Sequence, residues 1–162
     1  MTTLKTPRKT RSDSATAAIE AAKNAALGDL MPPDHVQVSA DAMPDFVCIV
    51  RARARNEWSE YDLVVAAQLA ECIAKQREQD ALIAVEGDVV RNERGTQIAN
   101  PRVAMLERLA GRQMAYTRLL QMGGRVAGTD GDKRKKQNQR QLERDARATR
   151  NQAQAEDDEL LA

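Results

Sequence analysis

From Tyr61 to Val85 the chain contains neither proline nor glycine. Ser59 stands ahead of that stretch in capping-box register with Asp62 in its first turn, and Gly87 stands behind it. The pattern predicts one uninterrupted helix, roughly 38 Å long at 1.5 Å per residue. Asn100-Pro101 then gives an N-cap followed by proline at the first helical position, so a second long helix is predicted from Pro101 to about Met122. The connection across 87–100 lets the two pack antiparallel as an αα-hairpin. That connection is either a small β-hairpin built on Val89-Val90 and Gln97-Ile98 or a long loop.

The apolar residues of these helices are too many for one seam. Leu106, Leu109, Tyr116 and Leu120 lie close to heptad spacing, and Met105, Leu119 and Met122 widen the stripe. Between Leu63 and Ala74 the first helix is apolar on much of its circumference. Two helices cannot bury all of that between them, so either the short N-terminal helices or other copies of the chain must cover the rest. Self-association is expected from this surplus, with Leu63, Leu69, Ile73, Leu106, Leu109, Tyr116 and Leu120 as its candidate residues.

The flanks read differently. Residues 1–11 hold Lys5, Arg8, Lys9 and Arg11 and no acid, the composition of a disordered basic arm. Ser12-Asp13-Ser14 offers caps for a short Ala-rich helix over Ala15–Leu27, which carries Lys23, and Gly28 ends it. Pro32-Pro33 forbids helix in the linker 28–43. Pro44 and Asp45 open a further helix to about Arg55, with the apolar run Phe46–Val50 and then Arg51, Arg53 and Arg55. Alternating arginines on a helix spread about 200° apart per step, so at least one is expected to pair within the protein. Gly123-Gly124, Gly128 and Gly131 mark a flexible break. Beyond it Lys133, Arg134, Lys135, Lys136, Arg140, Arg144, Arg147 and Arg150 outnumber Asp132, Glu143 and Asp145. This stretch has good helix formers but no apolar face, so it is expected to be helical only with a partner. Glu156, Asp157, Asp158 and Glu159, with Leu160-Leu161, close the chain as an acidic tail.

The expected organisation is therefore all-α. It comprises a basic arm over 1–11, an N-terminal helical region over 12–57, a helical-hairpin oligomerisation core over 58–122, and a flexible tail over 123–162, basic and then acidic. Aromatic residues make up 2% of the chain, which disfavours β-sandwiches and base-stacking single-strand binders. Opposite charges balance, with 25 Lys and Arg against 24 Asp and Glu, but they are segregated along the chain.

Chemistry is sparse. Cys48 and Cys72 form no C-x-x-C pair and lie in apolar helical runs, as buried thiols do. The single histidine, His35, sits in the linker and reads as a solvated loop residue. Asp62, Glu71 and Glu78 read as solvated or ion-paired helix surface. No phosphate-binding glycine loop or metal-ligand spacing is present, so neither catalysis nor a metal or cofactor is expected. No stretch approaches the ~18 apolar residues of a membrane span, and no apolar run follows the basic start, so neither export nor membrane insertion is expected. Phosphate contact suits three basic groups: the arm, Arg51/Arg53/Arg55, and the stretch from Lys133 to Arg150.

Several segments, in order, resemble the small terminase subunit of lambda-like tailed double-stranded-DNA bacteriophages. They are RSDSATAAIEAAKNAA (Arg11–Ala26), the Pro-Pro-x-His stretch Pro32–His35, WSEYDLVVAAQLAE (Trp58–Glu71), the NPR helix start (Asn100–Arg102) and the tail from Lys135 onward. The resemblance implies a non-catalytic DNA-packaging adaptor in the cytoplasm of a host bacterium, not a structural part of the virion. It implies a homo-oligomeric ring, nonameric in such proteins. The ring recognises the packaging-initiation region of double-stranded viral DNA and recruits and regulates a large terminase subunit that carries the ATPase and nuclease. Carried onto this sequence, DNA contacts fall on Lys5, Arg8, Lys9, Arg11, Lys23, Arg51, Arg53 and Arg55. The tail cations Lys133, Arg134, Lys135, Lys136 and Arg140 serve either DNA or the large subunit. Glu156, Asp157, Asp158, Glu159, Leu160 and Leu161 are candidates for docking the large subunit. Gly28–Met43 is too long and proline-rich for the tight turn of a helix-turn-helix. The alternatives are a phage-encoded dimeric transcriptional regulator and a helical scaffold that binds only protein.

Overall fold

A computed structural model describes residues 15–122 and 130–160. The arm cations Lys5, Arg8, Lys9 and Arg11, the glycines Gly123, Gly124 and Gly128, and Leu161 lie outside the described residues. The described residues are all-α apart from one small hairpin. The helices are α1 (Ala15–Ala26), α2 (Met43–Arg51), α3 (Glu60–Glu86), α4 (Pro101–Leu119) and α5 (Asp130–Leu160), and the strands are β1 (Val89–Arg91) and β2 (Gln97–Ala99). It divides into two compact units: Met1–Asp29 with Ala127–Ala162, and Leu30–Val126.

The Leu30–Val126 unit is the predicted hairpin with α2 laid on it. Ser59 accepts from the Asp62 N–H, and Asp62 accepts from the Ser59 N–H, completing the capping box that starts α3. The C-cap Gly87 sits at φ 85, a conformation that costs glycine little. Between α3 and α4 the hairpin form of the connection is realised, with Val90 opposite Ile98. Its turn is closed by the Gly95 N–H on the Asn92 carbonyl, and the Asn92 side chain accepts from Arg94 and Thr96. Asn100 caps α4 through the Arg102 N–H, while its own amide donates to Glu86 and to the Gly87 carbonyl. Arg102 then clamps Glu86 through Nε at 3.0 Å and reaches Gln79.

The breadth of the α3 apolar surface is explained by α2. Phe46, Ile49 and Val50 pack with Val65, Ala66, Ala67, Leu69, Ala70 and Leu120 in one core. Asp45 in the first turn of α2 accepts from the Nη2 of Arg77 on both carboxylate oxygens, at 2.9 and 2.7 Å. Thus the N-terminal cover, rather than another copy, takes up this part of the surplus. Cys72 is buried, its thiol donating to the Leu109 carbonyl at 3.2 Å, and desolvation pushes its pKa up. Cys48 is exposed, contrary to expectation. Two residues beyond Phe46, it lies about 200° around the helix from that anchor.

Helix α4 stops at Leu119, short of the predicted Met122. The Gln121 N–H donates to the Arg118 carbonyl and the Met122 N–H to the Thr117 carbonyl, a Schellman closure that seats Leu120 in the core. Its left-handed position is held by Gln121 at φ 53, with the glycine pair only two residues further on. Gln121→Gly is expected to stabilise this unit by about 1 kcal/mol, since a side chain at such a φ costs roughly 1–2 kcal/mol and glycine's extra unfolded freedom offsets part of that. A urea midpoint that rises at constant slope is the check.

The other unit corrects the tail. The segment expected to be flexible forms the continuous helix α5, 31 residues long, packed against α1. The packing also groups the segments differently from the expected 12–57 region: α1 goes with α5, and α2 goes with α3.

Candidate nucleic-acid interface

Helix α1 is rich in alanine, and Ala17, Ala21 and Ala25, spaced one turn apart, are its buried residues. Such small side chains let α5 approach closely. At their contact sits Glu143, 1% exposed. The Asn24 amide donates to its Oε1 at 2.7 Å, and Arg147, one turn along α5, lies 3.8 Å from its Oε2. A buried carboxylate is tolerable only with such partners. Arg150 donates to the carbonyls of Ala25 (2.6 Å) and Ala26 (3.3 Å), capping the C-terminus of α1 where the helix dipole favours a cation. This answers the expectation that the basic stretch needs a partner to be helical. Its face toward α1 is polar, a pairing that apolar periodicity does not signal.

The two bonds also set direction. Glu143 meets α1 at Asn24, and Arg150, further along α5, meets the last carbonyls of α1. The helices therefore run the same way, with their N-termini at one end. From Ala148 to Asp158 every residue of α5 is exposed.

The candidate cations are thereby sorted. Lys23 is exposed in the last turn of α1, a position its helix dipole favours without any ligand. Arg134, Lys135, Lys136 and Arg144 are exposed on α5, Lys133 and Arg140 are half-buried, and Arg147 and Arg150 are used inside the unit. Glu156, Asp157 and Asp158 are exposed near the end of α5.

The arginines expected on one helix are split, because α2 ends at Arg51. Arg53 follows in a bend and Arg55 opens a 3-10 turn, Arg55–Glu57. Arg53 stacks over Trp58 at 4.9 Å from the ring centroid, and the Trp58 indole donates to the Val50 carbonyl at 3.0 Å. At least one of the three is thus engaged within the chain, as expected.

Of the candidate oligomerisation residues, Leu69, Leu109 and Leu120 are buried inside one chain, and Leu63, Ile73, Leu106 and Tyr116 are half-buried. Large apolar side chains left exposed on α4 are Met105, Met114 and Leu119. Among the carboxylates, Glu71 accepts from the Ser39 N–H at 2.6 Å, which holds its pKa down, and the Arg102 bond does the same for Glu86. These are structural uses, and spacing within one helix does not reveal them. His35 is exposed in a turn. Among the described residues no cluster of His, Cys, Asp and Glu is placed to hold a metal, and no helix is long and apolar enough to cross a membrane.

Comparison with known proteins follows the same lines as the resemblance. The whole chain, residues 1–162, matches the profile of the Hendrixvirinae small terminase family. It is also 31% identical over 161 residues to "Terminase, small subunit" of Enterobacteria phage HK97, covering 96% of this chain and 95% of that protein.

Proposed function

The chain belongs to the Hendrixvirinae small terminase family, and from that premise we propose that it is a ring-forming, non-catalytic adaptor for packaging viral DNA. A DNA-packaging role follows from the family itself. The finer reading is that copies of the chain close into a ring, nonameric by the resemblance. The ring binds the packaging-initiation region of double-stranded viral DNA in the host bacterium. There it recruits the large terminase subunit and regulates its ATPase and nuclease. The observation that carries this reading is the family match over the full length, basic and acidic ends included. Consistent with it, the unit built from α1 and α5 presents exposed cations on Arg134, Lys135 and Lys136 and exposed acids on Glu156, Asp157 and Asp158. The acids suit a basic surface on a protein partner, and the cations suit phosphate.

The test is native mass by light scattering, with and without duplex DNA, alongside the ATPase rate of the large subunit with and without this chain. A mass of many chains, a salt-sensitive shift with duplex DNA and an altered ATPase rate are expected. A mass of one or two chains that still binds DNA would favour the dimeric regulator. A large assembly indifferent to DNA would favour the protein-only scaffold.

A further inference from the structure

We propose that neighbouring copies in the ring meet through two different faces: the far half of α3 on one copy and the outer face of α4 on the next. The proposal rests on the ring reading above and assigns that ring its seam. Helix α2 covers only part of the apolar stripe on α3. Ala70 is buried in the core with Phe46, and Ala74 packs against that core. The Arg77–Asp45 pair lies at the first turn of α2, where its cover ends. Ala81 stands about three turns beyond Ala70, on the same face of α3. There it is exposed, as are Ala84 and Val85, the last at 87%. The stripe thus continues, uncovered, past the edge of α2.

Charge identifies what covers it. From Glu78 to Asp88 the sequence has no Lys, Arg or His, and the exposed acids Glu78 and Asp80 flank Ala81. Glu86 is taken by Arg102, whereas Glu78 and Asp80 have no ion pair among the described residues. Helix α4 is the complement. Beyond Arg102 its exposed charges are Arg108, Arg112 and Arg118 against one acid, Glu107. At about 100° per residue, Arg108 and Arg112 share a face with Ala104, Gly111 and Ala115, and the exposed Met105 and Met114 border it. Nothing within the chain asks for a glycine in this helix interior, where glycine is destabilising relative to alanine. A Cβ at Gly111 would meet no atom within 4 Å. Close approach of a neighbour's helix gives that glycine a use. Met and Arg are also the residues that protein interfaces favour. An acidic face and a basic face on one chain match only head to tail, which is the heterologous contact that closes rings. Two acidic or two basic faces together would repel, which disfavours a two-fold dimer through either.

The test is native mass by light scattering on the full chain over a concentration series, with circular dichroism and urea midpoints on the same samples. Glu78→Lys/Asp80→Lys makes the α3 face basic like the α4 face. Arg108→Glu/Arg112→Glu makes the α4 face acidic like the α3 face. Each pair is expected to raise the concentration needed for assembly by about tenfold or more, with the helical signal unchanged. The four changes in one chain reverse both faces and are expected to restore the wild-type mass, a recovery that misfolding cannot imitate. Gly111→Leu is expected to keep the fold and lower the mass. Wild-type mass in Glu78→Lys/Asp80→Lys or in Gly111→Leu, or no recovery in the fourfold variant, overturns the α3-to-α4 seam. If Arg108→Glu/Arg112→Glu keeps its mass but loses salt-dependent duplex binding, the α4 face serves DNA and the seam is likewise overturned. A wild-type chain that stays at one or two copies removes the ring reading itself, whatever the variants do.

Discussion

Phe46→Ala is expected to destabilise the Leu30–Val126 unit by about 3–5 kcal/mol, a large part of the stability of a small domain. Phe46 is fully buried and is among the largest side chains to be so. It anchors α2, a helix of 9 residues that is too short to persist in water alone. Ile49 and Val50 are its other buried contacts with the core. Losing the ring therefore leaves a cavity and also loosens the cover over Val65, Ala66 and Leu69 on α3. The Arg77–Asp45 pair cannot compensate. Its arginine side chain is 61% exposed, and exposed ion pairs of this kind contribute about 0–1 kcal/mol. Trp58, the single tryptophan, reports the change directly, because its indole is bonded to the Val50 carbonyl near the end of α2. Urea unfolding followed by Trp58 fluorescence measures the loss. A loss below about 1 kcal/mol would mean that α2 is held chiefly by something other than Phe46.

Helices α3, α4 and α5 show why some of the fold was legible in the sequence and some was not. Local chemistry fixed the ends of α3 and the start of α4. The capping box at Ser59 and Asp62, Gly87, and Asn100-Pro101 act within one turn and are readable residue by residue. The stop of α4 was misplaced because Gln121 takes a conformation that glycine usually marks. Helix α5 was missed for a different reason. Its contact with α1 is made by alanines and a buried Glu143 with polar partners, so no apolar stripe advertises it. The candidate site was legible as charge but not as geometry. Arg53, Arg147 and Arg150 are alike in composition to Arg134 or Lys135, yet the structure engages the first three within their own units.

Exposure along the hairpin separates residues that hold one chain together from residues that can join several. Leu69→Asp is expected to unfold the chain, because Leu69 is only 4% exposed within a single copy and burying its replacement costs several kcal/mol. Leu109 and Leu120 are buried in the same way. Their heptad spacing reflects the α3/α4 seam and the core, so loss of assembly in such variants reports unfolding. Met114 and Leu119 are different, at 56% and 59% exposed on α4. A change there that touches nothing within the chain shifts stability by only about 0.5 kcal/mol. In the proposed ring, apolar side chains left outward on the hairpin are the surface that neighbouring copies cover. Met114→Asp and Leu119→Asp are therefore expected to keep the wild-type helical signal and urea midpoint at low concentration while lowering the native mass. Light scattering and circular dichroism on the same samples separate the two effects. A Leu69→Asp chain that stays folded with reduced mass would return Leu69 to the subunit seam. Unchanged mass in both Met114→Asp and Leu119→Asp would place the seam on another face of the hairpin.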